Sequence, residues 1–173
     1  MAFLLRKIRK AKWYKHQGVP WLDEGELQAD ALEDIATKGN ELSVWYIEDD
    51  ESNLEEVVTA LAASGDVVAN LDYALFDLQL ITTLNIKIRQ SPGITPDDTV
   101  NALWHRDLYN LSASKIMGLA DMILTQAQIR RVPKKKLLAM IAQAVSTGRI
   151  DRRKLRPRMA AKIENFLLKN AKR

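Results

Sequence analysis

The sequence predicts an α+β fold, in which a small N-terminal α/β sheet region is followed by an all-helical C-terminal half. Before Pro92, short β-branched and aromatic runs alternate with helical patterns, as expected where strands and helices share one region. After Ser91-Pro92-Gly93, apolar residues recur at helical spacing. We therefore predict an α+β region with an acidic surface over residues 1–92 and a helical region with a basic C-terminal block over residues 93–173.

Composition limits the class of protein. The 173 residues suit one domain of ordinary size, or one domain with a small appendage, and a hydrophobic fraction of 47% is enough for a core. The absence of Cys excludes disulfide scaffolds, thiol catalysis and Cys-ligated metal sites. No apolar run is long enough for a transmembrane helix or a signal peptide, so we expect a cytoplasmic protein that does not contact a membrane.

The first elements begin at the N-terminus. Residues 3–8 (FLLRKI) are compatible with either a strand or the start of a basic helix. Asp23 and Glu26 have the spacing of a capping box and predict a helix that closes at Lys38-Gly39. The β-branched and aromatic run over residues 42–47 (LSVWYI) predicts a largely buried strand.

The same logic continues up to residue 89. Ser52, with Glu55 at the capping-box position, predicts the start of a helix that ends at Gly65. Residues 71–76 (LDYALF) predict another strand. Alternating apolar and polar residues over positions 84–89 predict a half-buried strand, at a sheet edge.

Four helices are predicted after residue 92. Residues 95–98 (TPDD) supply a capping Thr, a Pro in the first turn and acids at the positive end of the helix dipole. The apolar stripe of that helix is Val100, Leu103, Trp104, Leu108 and Leu111, which leaves His105, Arg106 and Asp107 on its exposed face. The next helices are predicted to start at Ser112, Pro133 and Pro157.

Charge is strongly segregated along the chain. Residues 1–15 carry six basic groups and no acidic one, and residues 16–77 carry 16 acidic groups and one basic group. Residues 130–173 carry 15 basic groups and two acidic ones. Blocks of one sign raise strong local potentials and favour a partner of the other sign, which is nucleic acid, another protein or another part of the same chain.

Three lysines that directly follow Pro133, the lysine cluster (Lys134, Lys135 and Lys136), are predicted to occupy the first turn of a helix. Cations there oppose the helix dipole at about 0.3–1 kcal/mol each, so stability alone does not favour them. Lysines beside free backbone N–H groups make a good phosphate site. With the arginine-rich connector they form the predicted nucleic-acid-binding surface, here called the basic surface: Lys134, Lys135, Lys136, Arg149, Arg152, Arg153, Lys154, Arg156 and Arg158.

An acidic cluster (Glu48, Asp49, Asp50 and Glu51) follows the predicted strand at residues 42–47. Strand-end carboxylates can hold Mg²⁺, but no spaced partner motif, EF-hand glycine or phosphate loop accompanies them. We interpret the cluster as a solvated turn and as the predicted protein-binding site. The only histidines, His16 and His105, are far apart in sequence, so no metal site is predicted.

No catalytic residue and no cofactor are predicted, because the sequence has no nucleophile elbow, P-loop or dinucleotide-binding fingerprint. We expect a non-enzymatic accessory or architectural subunit of a nucleic-acid-handling assembly, which contacts the phosphate backbone through its C-terminal helices. The alternative is a protein-interaction module, such as an inhibitor, immunity or antitoxin-like protein, whose acidic half binds a basic partner protein or a second copy of the chain.

Overall fold

A computed structural model of the chain describes residues 2–13, 22–23 and 26–170. Its centre is a six-stranded sheet in which every neighbouring pair of strands is antiparallel. The strands are β1 (Phe3–Ile8), β2 (Leu42–Ile47), β3 (Leu71–Asp77), β4 (Lys87–Gln90), β5 (His105–Tyr109) and β6 (Gln128–Val132). They lie side by side in the order β4-β5-β2-β1-β3-β6, so β4 and β6 form the two edges.

Helices connect the strands and cover both faces of the sheet. The α-helices are α1 (Leu54–Ala63), α2 (Leu78–Thr83), α3 (Asp98–Leu103), α4 (Ala113–Gln126), α5 (Lys134–Ser146) and α6 (Pro157–Asn170). Short 3-10 segments occur at Lys10–Lys12, Ala29–Ile35 and Arg152–Lys154. None of the described helices is long and apolar enough to cross a membrane.

The sheet separates two apolar cores, because successive residues of a strand point to opposite faces. On one face, Leu5 and Leu75 pack with the buried sides of α1, α5 and α6. On the other face, Leu4 and Phe76 pack with α2, α4 and the 3-10 segment at Ala29–Ile35. This arrangement explains why β1 and β3 carry apolar residues at consecutive positions, with one side chain for each core.

The predicted all-helical C-terminal half is wrong. Strands β5 and β6 both come from it, and they pair with β2 and β3 of the N-terminal half. The fold is still α+β, but strands and helices are interleaved along the chain. The sheet therefore draws strands from both sides of the boundary predicted at residues 92–93, and that boundary itself stays a prediction.

Strand β5 replaces the second half of the helix predicted to run from residue 95. The N-cap is Asp97 rather than the predicted Thr95, and it accepts from the Val100 N–H at 3.1 Å. The helix nevertheless ends at Leu103, and β5 begins at His105. Pairing with β2 and β4 on its two sides buries Leu108 completely, which a short isolated helix cannot match.

Most other elements match their predictions. Strand β2 and helix α6 begin at the predicted residues, and Ser112 caps α4 as expected. The undecided segment at residues 3–8 is a strand. The helix predicted from Asp23 is a 3-10 segment, Ala29–Ile35, and the N-cap of α1 is Asn53 rather than Ser52. The predicted edge strand is confirmed as β4, shifted toward Gln90.

Candidate functional site: a basic helical surface and a polar cleft

The lysine cluster occupies the first turn of α5, as its spacing after Pro133 predicts. All three lysines are exposed, and no carboxylate in the described part of the chain forms an ion pair with them. The Lys134 N–H donates to Asn70 Oδ1 at 2.8 Å, so the start of the helix is capped by a neutral side chain. Three cations thus remain against the positive end of the helix dipole.

Five other members of the basic surface have carboxylate partners. The pairs are Arg149 with Glu56 and Asp97, Arg152 with Glu164, Arg153 with Asp151, Lys154 with Asp98, and Arg158 with Asp66. Within the described residues, Arg156 and Lys162 of the same region form no ion pair. The positive charge is therefore concentrated at the start of α5 and on the exposed side of α6.

Most of these pairs lie at the surface, where an ion pair contributes about 0–1 kcal/mol and exchanges readily. Arg153, for example, donates to Asp151 at 2.7 Å while 89% of its side chain is exposed. Hydrogen bonds from Arg153 lower the pKa of Asp151 to about 2, so that carboxylate stays ionised. An incoming phosphate must compete with such carboxylates. The cations between α5 and α6 are therefore expected to contribute less to phosphate binding than the lysine cluster does.

Arg149 forms an ion pair with a buried carboxylate, which indicates a structural role. Its Nε lies 3.2 Å from Oδ2 of Asp97, a carboxylate that is fully buried. The same two atoms are buried without any hydrogen bond of good geometry in the described residues, so they are held together by charge alone. Because a buried carboxylate needs a counter-charge, Arg149 fixes the connector after α5 to the start of α3.

Residues of the basic surface line two separate depressions. Lys134 of α5 and Arg158 and Lys162 of α6 line one cavity of about 230 Å³ beside Val67 and Val68. Lys154 and Arg156 line a separate depression that also contains Asp98. The structure therefore brings Lys134 together with Arg158, a juxtaposition across two helices that spacing along the chain does not reveal.

The acidic cluster forms the turn between β2 and α1. Glu51 adopts a left-handed conformation with a φ of 57°, and its carboxylate accepts two hydrogen bonds from Arg130, at 2.6 and 2.7 Å. Those bonds lower the pKa of Glu51, and bonds from Ser52 lower the pKa of Asp50. Part of the predicted protein-binding site is thus occupied by a contact within the chain.

The rest of the cluster borders a shallow depression. Glu48, Asp49 and Asp50 line a cavity of about 290 Å³ together with Glu56 and Trp104. In the described ranges no group of three or more His, Asp or Glu side chains has the spacing to hold a metal ion, and His16 lies outside those ranges. The cluster therefore offers a negative surface.

A cavity of about 730 Å³ lies at a place where the sheet splits. Strands β1 and β2 pair only from Phe3↔Ile47 to Leu5↔Trp45. Beyond that point β1 continues beside β3 while β2 continues beside β5, so the two central strands diverge. We call this opening the split cleft; its polar lining includes Arg6, Lys7, Arg9, Ser43, His105 and Asp107.

Arg6 fills the apex of the split. Its guanidinium donates to the main-chain carbonyls of Asp34 and Ser43, each at 2.7 Å, and so satisfies one carbonyl of the 3-10 segment and one of β2. Burial lowers the pKa of Arg6 from its ordinary value. The Asp34 carboxylate accepts from the Arg9 N–H and Nε at 2.7 Å and from Trp13 Nε1 at 2.9 Å, which fixes the β1 side of the cleft.

His105 lies on the opposite side and is only 6% exposed. Its Nδ1 is within hydrogen-bonding distance of Ser91 Oγ at 2.9 Å, and the ring packs edge-on against Trp45. Burial lowers the pKa of His105, so the imidazole is neutral at pH 7. A Cβ at Gly93 would lie 2.6 Å from the Trp45 ring, so only glycine lets the loop pack so closely over these two side chains.

The prediction for residues 105–107 is therefore wrong. They were expected on an exposed helix face, but they lie in β5, where His105 is buried and Asp107 faces the split cleft. The two buried residues of HRDLY, His105 and Leu108, are three positions apart, so this segment shows no period-two alternation that could outweigh the helical spacing around it. Nothing in the local sequence connects these residues with Lys7 or Ser43.

Comparison of the chain with protein-family models, with curated proteins and with solved structures finds no match.

Proposed function

We propose that this protein binds the phosphate backbone of a nucleic acid through the exposed cations of α5, α6 and their connector, as a non-enzymatic accessory or architectural subunit of a nucleic-acid-handling assembly. The observation that carries the proposal is the lysine cluster in the first turn of α5, exposed and without carboxylate partners in the described residues. Its charges oppose the helix dipole, so an external anion is the simplest compensation for their cost.

The surrounding cations support the same partner. Lys134 shares a cavity with Arg158 and Lys162, so a phosphate there would meet cations from two helices. Arg156 is exposed nearby on the connector. The surface ion pairs of Arg152 and Arg153 are weak enough to rearrange toward phosphates, whereas Arg149 is held by buried Asp97 and is assigned a structural role.

The proposed contact is with the backbone rather than with bases. Among residues 134–170, Phe166 is the one aromatic residue, and it packs against the apolar core beneath α1 and α5. Base recognition in single strands needs stacking platforms, and recognition in duplexes needs side chains aimed into a groove. We therefore expect similar affinity for different sequences.

Fluorescence anisotropy with labelled DNA and RNA of equal length tests the proposal. Replacing all three lysines of the cluster by Gln is expected to weaken binding about tenfold or more at low salt. A matched control replaces Lys38, Lys87 and Lys115 by Gln, which removes the same charge outside α5, α6 and the segment between them. Absence of binding at low ionic strength, or equal losses in the two triple variants, would refute the proposal.

The alternative candidate is a protein-interaction module whose acidic half binds a basic partner. It is favoured by the depression at the acidic cluster, where Glu48, Asp49 and Asp50 stand beside Glu56. The hypothesis that the partner is a second copy of the chain is tested by sedimentation velocity across a salt series. A dimer at low salt that the lysine-cluster variant abolishes supports charge-driven self-association, and a monomer throughout excludes it.

A further inference from the structure

We propose that the split cleft binds a small hydroxylated organic anion, such as a sugar phosphate or a sugar acid. This site is distinct from the basic surface and does not depend on nucleic-acid binding. The volume of about 730 Å³ lies within the range of cavities that hold small molecules in proteins. The polar groups of the lining that have no partner in the described part of the chain determine which ligand the cleft can bind.

Most polar groups around the cleft are engaged. Arg6 donates to two carbonyls, and Arg9 binds Glu33 and Asp34. Thr95 Oγ1 lies 2.8 Å from Asn101 Oδ1, on the rim. These contacts make the walls rigid, and a rigid lining reduces the entropy lost on binding a ligand.

Three groups of the lining remain available. Among the described residues, Lys7 forms no ion pair, and His105 Nε2 makes no hydrogen bond although its Nδ1 is held by Ser91. Asp107 has one side-chain hydrogen bond, from Ser43 Oγ to Oδ1 at 3.3 Å, which leaves most of its acceptor capacity unused. His105 is only 6% exposed and lines the cavity, so a ligand that bonds its Nε2 would complete the hydrogen bonding of the ring.

The spacing of two of these groups indicates a hydroxyl. His105 Nε2 and Asp107 Oδ1 are 4.0 Å apart, which is too long for a direct hydrogen bond. One oxygen atom placed between them can contact both. When the proton of His105 is on Nε2, a hydroxyl accepts from Nε2 and donates to the carboxylate, so one ligand oxygen bridges both groups.

The charge on the other side of the cleft indicates an anion. On the β1 side, Glu33 and Asp34 face Arg6 and Arg9, whereas Lys7 is exposed and forms no ion pair in the described residues, so Lys7 supplies the positive charge available to a ligand. The anionic group of the ligand is therefore expected beside Lys7, with its hydroxyl groups toward Asp107 and His105. Phosphate and carboxylate share this chemistry, and the probes below distinguish them.

Isothermal titration of the full chain tests the inference with ribose 5-phosphate, gluconate, ribose and inorganic phosphate as probes. Ribose 5-phosphate or gluconate, or both, is expected to bind saturably and at least tenfold more tightly than ribose or phosphate. If only one of the two binds, the anionic group is identified as phosphate or carboxylate. Saturable binding by neither probe, or equally tight binding of ribose alone, would overturn the inference.

Variants locate the binding site. Lys7→Gln is expected to weaken the better probe about tenfold, and Asp107→Asn to weaken it by a similar factor. The triple lysine-cluster variant is the control and should leave this affinity unchanged. If binding is lost in the control but retained in Lys7→Gln, the probe binds at the basic surface and the inference fails, whatever the outcome for nucleic acid.

A spectroscopic readout covers the case in which Asp107→Asn does not fold. In the ¹⁵N spectrum of the wild-type protein, the Nε2 resonance of His105 is expected to shift on addition of the binding probe. An Nε2 resonance that does not move at saturation would contradict contact with the imidazole and overturn the assignment of the site.

Discussion

Two arginines show that the effect of an ion pair depends on how deeply the partner carboxylate is buried. Arg149 and Arg152 lie close together in sequence, and both have carboxylate partners. The partner of Arg149 is fully buried Asp97, whereas the partner of Arg152 is half-exposed Glu164. Because removal of one partner from a buried pair leaves an uncompensated charge, burial rather than distance decides which contact matters.

Arg149→Ala is expected to lower the free energy of unfolding by about 3 kcal/mol, at the low end for a buried pair because Arg149 is itself partly exposed. The matched variant Arg152→Ala should cost less than about 1 kcal/mol. Urea unfolding measures both. Equal small losses would show that Asp97 does not need its counter-charge.

His105 makes the stability depend on pH. Burial is the main cause that lowers its pKa, opposed by the Ser91 carbonyl and by Asp107 and reinforced by Arg106. The unfolded chain therefore binds a proton near the ordinary His pKa of about 6.5, while the folded chain does not. Stability is full above that pH and decreases as the pH falls through it.

His105→Gln is expected to flatten the stability curve between about pH 7 and pH 5, since Gln does not titrate. Loss of stability from the carboxylates with lowered pKa, such as Glu51 and Asp151, belongs to a more acidic range and should remain. Urea midpoints of both proteins across this pH range provide the measurement. Parallel curves would contradict the neutral, buried state of His105.

Among the elements, β5 shows why part of the fold could not be predicted. The run from Val100 to Leu111 has helical spacing, and its first turns do form α3. The segment from His105 forms a strand instead, because it pairs with β2, which lies more than fifty residues away in sequence. Local patterns predict strands such as β2 and helices such as α6 well, because their apolar faces are complete within one segment.

Leu103 and Leu108 distinguish the two structures of this segment. Both would be buried in one helical stripe, but Leu103 is 49% exposed and Leu108 is fully buried. Leu108→Ala is therefore expected to cost about 2–5 kcal/mol in unfolding free energy and Leu103→Ala less than about 1 kcal/mol. Similar losses in the two variants would favour the helix.

The lysine cluster and the split cleft also differ in how far local sequence patterns predict them. The exposed lysine cluster could be predicted, because its position after Pro133 is local and α5 starts there. The split cleft could not, because Lys7, Ser43 and Asp107 meet only through the order of strands in the sheet. The carboxylate partners of Arg149 and Arg158 could not be predicted either, since Asp97 and Asp66 are distant from them in sequence.

For the whole molecule, the sheet order has a consequence for fragments. A chain of residues 1–92 retains β1 to β4 but lacks β5, which joins β4 to β2, and β6, which covers β3. It also lacks α5 and α6, which complete one of the two cores. We expect this fragment to lose cooperative urea unfolding, measured by circular dichroism; a sharp transition would instead support an independent domain ending at residue 92.

The charge segregation is also a property of the whole molecule. The N-terminal cations Arg9 and Lys12 are paired with Asp30, Glu33 and Asp34, so part of the positive block at that end is used within the chain. In the described part of the chain, no member of the lysine cluster has a carboxylate partner. These unpaired lysines at the start of α5 are the basis of the proposed function.

The slope of log affinity against log salt concentration tests that proposal most directly, because each neutralised phosphate on a duplex contributes about 0.9 to it. With a labelled DNA duplex, the account predicts a steep dependence for the wild-type protein and a slope reduced by about 2 to 3 when all three lysines of the cluster are Gln. A slope that is the same in both proteins, or affinity that does not respond to salt, would contradict it.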